Sequence, residues 1–194
     1  MSDPSQLLIL VGSPRKDGNS AFLAQRAADA ARGSGASVDL IFLQDLDIRP
    51  CEGCDVCRES VDAECILTDD LTGLYPRLRE ADAVLIATPI YSYNMTAQTK
   101  LLIDRLYALG SRDGNALSGK RFGFIIVYGA KDVFSSGAAT AMRCFHDTFA
   151  RKASWMRVVH GSAHAAGEAA KNERLTEEAT RLGADLAGDP SPTP

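Results

Sequence analysis

A doubly wound α/β fold, with a parallel sheet covered by helices on both faces, is what this sequence predicts. Three observations lead there. Short, continuous apolar runs alternate with stretches of helical periodicity along the chain, as strands joined by crossover helices do. The first run, Leu7-Leu8-Ile9-Leu10-Val11, is apolar at every position, as a strand buried on both faces should be. It ends at Gly12-Ser13-Pro14, a turn signal, before sequence that suits a helix.

The elements follow in order. Ser20 to Arg32 reads as a helix, with Phe22, Leu23, Ala27, Ala30 and Ala31 able to share a face and Gly33 and Gly35 stopping it,. Val38 to Leu43 is the second strand. Asp69 and Asp70 suit the start of a helix that runs to about Glu80, with Pro76 predicting a kink or a late start,. Ala83 to Thr88 is the third strand, and Ala97 to Leu109 a helix with Leu101, Leu102, Leu106 and Leu109 at suitable spacing. Phe122 to Tyr128, a helix over Ser136 to Lys152, a short strand over Met156 to His160 and a helix over Asn172 to Leu186 complete the series. Parallel strands of this kind place ligands beyond their C-terminal ends. The loops after strands one, three and four are therefore where a site is expected.

With 194 residues, one domain is expected, spanning 1–187, with a cysteine-rich insertion at about 50–66 and a disordered tail at 188–194. The net charge of −4 gives no electrostatic reason for a nucleic-acid or anionic-membrane partner. The first residues, Met1-Ser2-Asp3-Pro4-Ser5-Gln6, lack the basic start of a signal peptide,. No apolar run approaches the ~20 residues of a membrane helix. A cytoplasmic protein is the expectation.

The turn Gly12-Ser13-Pro14-Arg15-Lys16-Asp17-Gly18-Asn19-Ser20 enters a helix N-terminus, where unpaired N–H groups and the helix dipole favour an anion. Ser13, Asn19 and Ser20 offer neutral donors, and Arg15 a bidentate charged one. The turn is neither a G-x-G-x-x-G fingerprint nor a nucleotide loop ending in Gly-Lys-Ser/Thr, so a monophosphate suits it better than a pyrophosphate or triphosphate. The plainer reading is a polar turn with Ser20 or Asn19 as helix cap. After strand three, Pro89-Ile90-Tyr91-Ser92-Tyr93-Asn94-Met95 combines aromatic and small polar groups. Such a loop can flank a flat heterocyclic ring and offer backbone donors at its polar edge. Alternatively, Tyr91 and Tyr93 simply pack beneath the loop.

Together these segments, with Gln98, Lys100, Asp104 and Arg105 behind the second, resemble the NADPH-dependent FMN reductase family of the flavodoxin-like superfamily. They are similar to its phosphate loop and its P-x-Y … K-x-x-x-D-R segment. The likeness runs from about Leu7 to Arg105 and more weakly to His160. It implies a flavodoxin-like three-layer sandwich with strand order 2-1-3-4-5. It implies FMN held by Ser13, Arg15, Asn19 and Ser20 at its phosphate and by Pro89, Ile90, Tyr91, Ser92, Tyr93, Asn94 and Met95 along its ring. Tyr128, Gly129 and Ala130 after strand four form a third contact, less glycine-rich than the family's usual turn. Lys100, Asp104 and Arg105 are implied to be structural, supporting the loop or a subunit interface. Family members commonly form homodimers or homotetramers that complete the flavin site.

Cys51-x2-Cys54-x2-Cys57-x7-Cys65 crowds four thiols after strand two. Without a secretion signal such a cluster favours metal or redox chemistry over structural disulfides. The compact start is more like an iron–sulfur run than paired zinc knuckles. Within the resembling family it is similar to the iron–sulfur flavoproteins, which hold a 4Fe–4S cluster between FMN and an external partner. Zinc, a disulfide or unoccupied thiols stay open. Cys144 reads as a small buried hydrophobe, and His146, His160 and His164 as structural or solvated.

The function implied is an FMN-dependent oxidoreductase. It takes hydride from NAD(P)H and passes electrons to a quinone, a flavin or another small acceptor, through the cluster and a redox protein if the cluster is held. No side chain is assigned a catalytic role, since the cofactor carries the chemistry. Two alternatives stand beside it: a non-enzymatic iron–sulfur flavoprotein electron carrier, and a cysteine-based metal or redox sensor.

Overall fold

The computed structural model describes residues 3–59, 64–110, 114–129, 137–149 and 155–188, apart from the side chains of residues 146, 148 and 149. Strand β1 (Gln6–Val11) leads into α1 (Asn19–Gly33) and β2 (Ser37–Phe42). After the cysteine-bearing segment come α2 (Leu74–Glu80), β3 (Ala83–Tyr91), β4 (Asn94–Met95) and α3 (Ala97–Arg105). Then follow β5 (Arg121–Tyr128), α4 (Gly137–Phe149), β6 (Trp155–Ser162), α5 (Glu168–Lys171) and α6 (Glu173–Ala187).

The strand order is β2-β1-β3-β5-β6, all neighbours parallel, with β4 antiparallel on the end of β3. The expected five-stranded order 2-1-3-4-5 is present, and the short β4 adds a sixth strand to the sheet.

Period-two alternation sorts the central strands between two cores. Leu8 and Leu10, Val84 and Ile86, and Phe122, Phe124 and Ile126 face one layer, where α2, α3 and α4 contribute Leu78, Leu102 and Met142. Leu7, Ile9 and Val11, Leu85 and Ala87, and Ile125 and Val127 face the other, against Leu23, Ala24 and Ala27 of α1 and Leu175, Leu182 and Leu186 of α6. β1 is buried on both faces because it pairs on both edges and is covered by both layers, as its unbroken apolar run predicts.

Several boundaries differ from expectation. β3 runs on to Tyr91, beyond Thr88. Its partner β1 ends opposite Ala87, so on that side the missing N–H of Pro89 interrupts no ladder. α2 begins at Leu74, placing Pro76 in its first turn, where it is tolerated,. α3 stops at Arg105 and tightens into a 3-10 turn over Leu106–Leu109. Cys144 is exposed rather than buried; the apolar face of α4 is occupied by Ala138, Met142 and Phe145 instead. Of the expected tail at 188–194, residues 189–194 lie outside the described residues. Among those residues no helix is long and apolar enough to cross a membrane.

Candidate functional site

The ends of β1, β3, β5 and β6 meet in one open cleft, at the carboxyl edge where this topology places ligands. Ser13, Arg15, Gly18, Asn19 and Ser20 line it from the first loop. Pro89, Ile90 and Tyr91 line it from the third strand, and Tyr128 and Gly129 from the fifth.

The first loop is held by its own serine. The buried Ser13 hydroxyl accepts the Arg15 N–H (3.1 Å) and donates to the Arg15 carbonyl (3.2 Å). Gly18 is the N-cap of α1 and gives no side-chain cap to the helix. The first-turn N–H groups are therefore left for another acceptor, as an anion site requires. This corrects the plainer reading in which Asn19 or Ser20 caps the helix. The loop's two cations also separate. Lys16 pairs with Asp45 at 2.7 Å and lies over the Phe42 ring. Arg15 is exposed on the cleft and has no ion-pair partner among the described residues. Asp17, also on the cleft, is the loop's opposing charge.

Asn19 lines the cleft, but its amide is committed elsewhere. Nδ2 donates to the carbonyls of Ala163 (3.0 Å) and Ala165 (2.8 Å), and Oδ1 accepts the Ala169 N–H (3.1 Å). It pins the start of α1 to the segment after β6 and leaves only its backbone N–H for a ligand.

The third-strand loop divides. Pro89, Ile90 and Tyr91 face the cleft, whereas Ser92, Tyr93, Asn94 and Met95 do not line it. Ser92 (φ 47) and Tyr93 (φ 67) form the two-residue turn between β3 and β4, with Ile90 opposite Met95 and Tyr91 opposite Asn94. Positive φ at both positions matches the twist of a tight hairpin, and it is strained for residues other than glycine or asparagine. Tyr93 is 83% exposed at the tip. Met95 is buried in the core, its N–H held by Asn94 Oδ1 at 2.8 Å. Ala130 lies outside the described residues.

A group of buried threonines joins the first loop to the third. Thr96, the N-cap of α3, donates to the Gly12 carbonyl (2.7 Å) and shares a hydrogen bond with Thr99 (2.9 Å). Thr88 Oγ1 accepts the Thr96 N–H (3.3 Å) and donates to the Pro89 carbonyl (3.0 Å). A Cβ at Gly12 would overlap Thr99 Oγ1, so glycine there permits the close approach. Thr96→Val keeps the shape but loses the cap and strands the Gly12 carbonyl. It is expected to cost about 2 kcal/mol by urea unfolding; an unchanged midpoint would show that the network carries no stability.

The sequence assigns no chemistry to the segment after β6, yet Ala163 and His164 line the cleft. The His164 ring packs against Gly129, where a Cβ would come within 2.5 Å of Nδ1. The available signal was positional: a fifth strand end belongs to the same edge. Tyr128 stacks on His160 at 6.3 Å, its hydroxyl 3.4 Å from Nδ1.

The four clustered cysteines line a second, separate cleft with Ile66, Leu67 and Tyr107. Cys51 and Cys54 are exposed, and Cys57 and Cys65 half-buried. Gly53 (φ 65) and Asp55 (φ 58) turn the backbone between the first three. Burial, then the neighbouring Cys65, Cys54 and Cys51, pushes the Cys57 thiol up from its ordinary value, so metal uptake there releases a proton. Four thiols converging on one cleft suit a soft metal or an iron–sulfur cluster. Among the described residues no three His, Cys, Asp or Glu side chains stand in ready coordination geometry.

The sequence pattern of a family described as NADPH-dependent FMN reductase matches residues 5–146. An iron–sulfur flavoprotein of Methanocaldococcus jannaschii is 32% identical over 71% of this chain and 68% of its own length. One from Methanosarcina thermophila is 31% identical over 77% of this chain and 71% of its own. Among solved structures, an NAD(P)H:quinone oxidoreductase from Methanothermobacter marburgensis superposes with a TM-score of 0.72 at 14% identity, covering 95% of this chain and 100% of that one. That last likeness is one of fold.

Proposed function

Since the chain belongs to the NADPH-dependent FMN reductase family, an oxidoreductase family, we propose that the four-loop cleft binds FMN and accepts hydride from a reduced nicotinamide. The electrons go on to a quinone, a flavin or another acceptor, with a 4Fe–4S cluster on Cys51, Cys54, Cys57 and Cys65 as their single-electron exit. The observation that carries this is the uncapped start of α1 beside Arg15, in the same cleft as Pro89–Tyr91 and Tyr128–Gly129. Bound FMN supplies the redox chemistry; the protein supplies place and field.

In this reading the first-turn N–H groups of α1 and the Arg15 guanidinium hold the phosphate, with Ser13 fixing the loop backbone. The Pro89–Tyr91 strand end flanks the ring, and Tyr128 and Gly129 close the opposite side. Tyr91, 43% exposed, leaves the outer face open to a second planar ligand, such as a nicotinamide or an acceptor ring. The cysteine cleft fits a cluster by its donor set, and the names of the two archaeal relatives support that assignment. The same names keep the electron-carrier alternative in view, and the rate of NAD(P)H oxidation separates the two.

The test is titration of flavin-free protein with FMN, read by quenching of flavin fluorescence, followed by steady-state NAD(P)H oxidation with a quinone acceptor. Arg15→Ala should weaken FMN binding about 10- to 100-fold, the loss of one charge-assisted contact. Failure of the native chain to bind FMN, or an Arg15→Ala variant that binds it equally well, would contradict the placement.

A further inference from the structure

The fully buried ion pair between Asp69 and Arg105 belongs to neither cleft's lining, and it joins the two legs of the cysteine-bearing segment. Arg105 Nη1 donates to Asp69 Oδ2 (2.5 Å) and to the Arg49 carbonyl (2.8 Å), and Nη2 to Asp69 Oδ1 (3.3 Å). Asp69 Oδ2 also accepts the Arg49 N–H at 3.0 Å. Arg49 is thus gripped through both its backbone groups. It lies just before Cys51, and Asp69 lies just after Cys65. A second rung sits beside the first: the Asp47 N–H donates to Asp70 Oδ2 (2.7 Å), and the Asp70 N–H to the Asp47 carbonyl (3.3 Å).

Two further features accompany the pair. Arg105 Nε is buried without a hydrogen-bond partner among the described residues. The Tyr75 hydroxyl donates to the Arg105 carbonyl at 3.1 Å, and Cys65 lies within electrostatic reach of both Tyr75 and Arg105. For stability alone such a pair is a poor device, because apolar residues of similar volume usually serve a core as well or better. Its geometry is specific in a way that stability does not require.

We propose that the Asp69–Arg105 pair is the positioning clamp of the four-cysteine site: it holds the leg carrying Cys51, Cys54 and Cys57 beside the leg carrying Cys65, so that the four thiols can retain an iron–sulfur cluster. The proposal rests on the cluster reading given above. The clamp acts through the backbone of Arg49, so neither member needs to touch the cluster.

The test is anaerobic reconstitution of the full chain with ferrous iron and sulfide, read as iron per chain and as the broad absorbance near ~400 nm. The wild type should take up about four irons. The charge-neutral double variant Asp69→Val/Arg105→Met leaves no stranded charge but takes the side-chain partners from the Arg49 and Leu71 N–H groups and the Arg49 carbonyl. It should melt, metal-free, moderately below the wild type, still bind FMN equally well, yet retain several-fold less iron. Arg105→Lys keeps the charge but offers a single ammonium nitrogen in place of the guanidinium fork, and should recover part of that iron. A double variant that folds and loads like the wild type overturns the clamp and leaves the cluster reading standing. One that melts far lower and binds no FMN makes the pair a core element and overturns the clamp as well. A wild type that takes up no iron removes the cluster reading and the clamp with it.

Discussion

Arg105→Ala is expected to lower the free energy of unfolding by about 3–5 kcal/mol at neutral pH, the usual result of stranding one member of a buried ion pair. A loss of that size is large against the 5–15 kcal/mol that typically holds a domain together. Both side chains are almost wholly enclosed, Arg105 at 0% and Asp69 at 2% exposure. Without the guanidinium, the Asp69 carboxylate keeps only the N–H groups of Arg49 and Leu71. Burial alone would push the Asp69 carboxyl up, but Arg105 and those two N–H groups outweigh it and hold it below the usual carboxylate range. A depressed carboxyl contributes stability above its unfolded pKa of ~3.9 and loses it as pH falls through the folded value. Arg105 stays charged throughout, because Asp69 more than offsets the burial that opposes its charge. The gap between wild type and variant should therefore be full at pH 7 and shrink on acidification below about pH 4. Urea unfolding at both pH values measures it. A loss under about 1 kcal/mol at pH 7, or a gap that widens in acid, would refute the account.

The parts of this fold that were legible share one property: their cause is local or periodic. Leu7–Val11 announces a doubly covered strand by composition alone, and the glycine turn after it marks the carboxyl edge. What stayed hidden depends on partners far along the chain. Asn19 reads as a phosphate donor because a short amide at a helix start is a common ligand. Its actual partners, Ala163, Ala165 and Ala169, exist only once α1 and the loop after β6 are adjacent. His164 enters the cleft by the same adjacency. The β3–β4 hairpin carries no sequence signal, because Ser92 and Tyr93 take positive φ without the glycine or asparagine that usually marks such a turn,. The sequence marks Arg105 as structural, but its partners, the Arg49 carbonyl and the Asp69 carboxylate, come from residues 56 and 36 positions away. Cys144 reads as buried by residue type, but a helix face is fixed by its docking partner, and residues 138, 142 and 145 take the core side.

Gly183→Ala should destabilise the protein by about 1–3 kcal/mol or more, against the sign that helix propensity predicts. In an exposed helix, alanine in place of glycine gains up to about 1 kcal/mol. Gly183 lies in α6 where that helix crosses α1, and a Cβ there would overlap the carbonyl oxygen and carbonyl carbon of Ala27. The obstacle is backbone, so no rotamer change relieves it; α6 must move off α1, the kind of overpacking that costs 1–3 kcal/mol and occasionally more. For the same reason Ala27→Gly should not rescue the variant, because it removes a side chain that is not in the way. The contrasting substitution is Gly33→Ala at the end of α1, where a Cβ would meet nothing within 4 Å, and it should be neutral or stabilising. The packing reaches the proposed phosphate site as well. α1 is held between α6 and the Asn19 bonds at its N-terminus. Displacing it moves Gly18–Ser20 relative to Pro89–Tyr91, so Gly183→Ala should also weaken FMN binding although it lies outside the cleft. Chemical unfolding and FMN titration of Gly33→Ala, Gly183→Ala and Ala27→Gly/Gly183→Ala separate propensity from packing. Equal stabilities for the two single variants would mean that α1 and α6 are not in the close contact described.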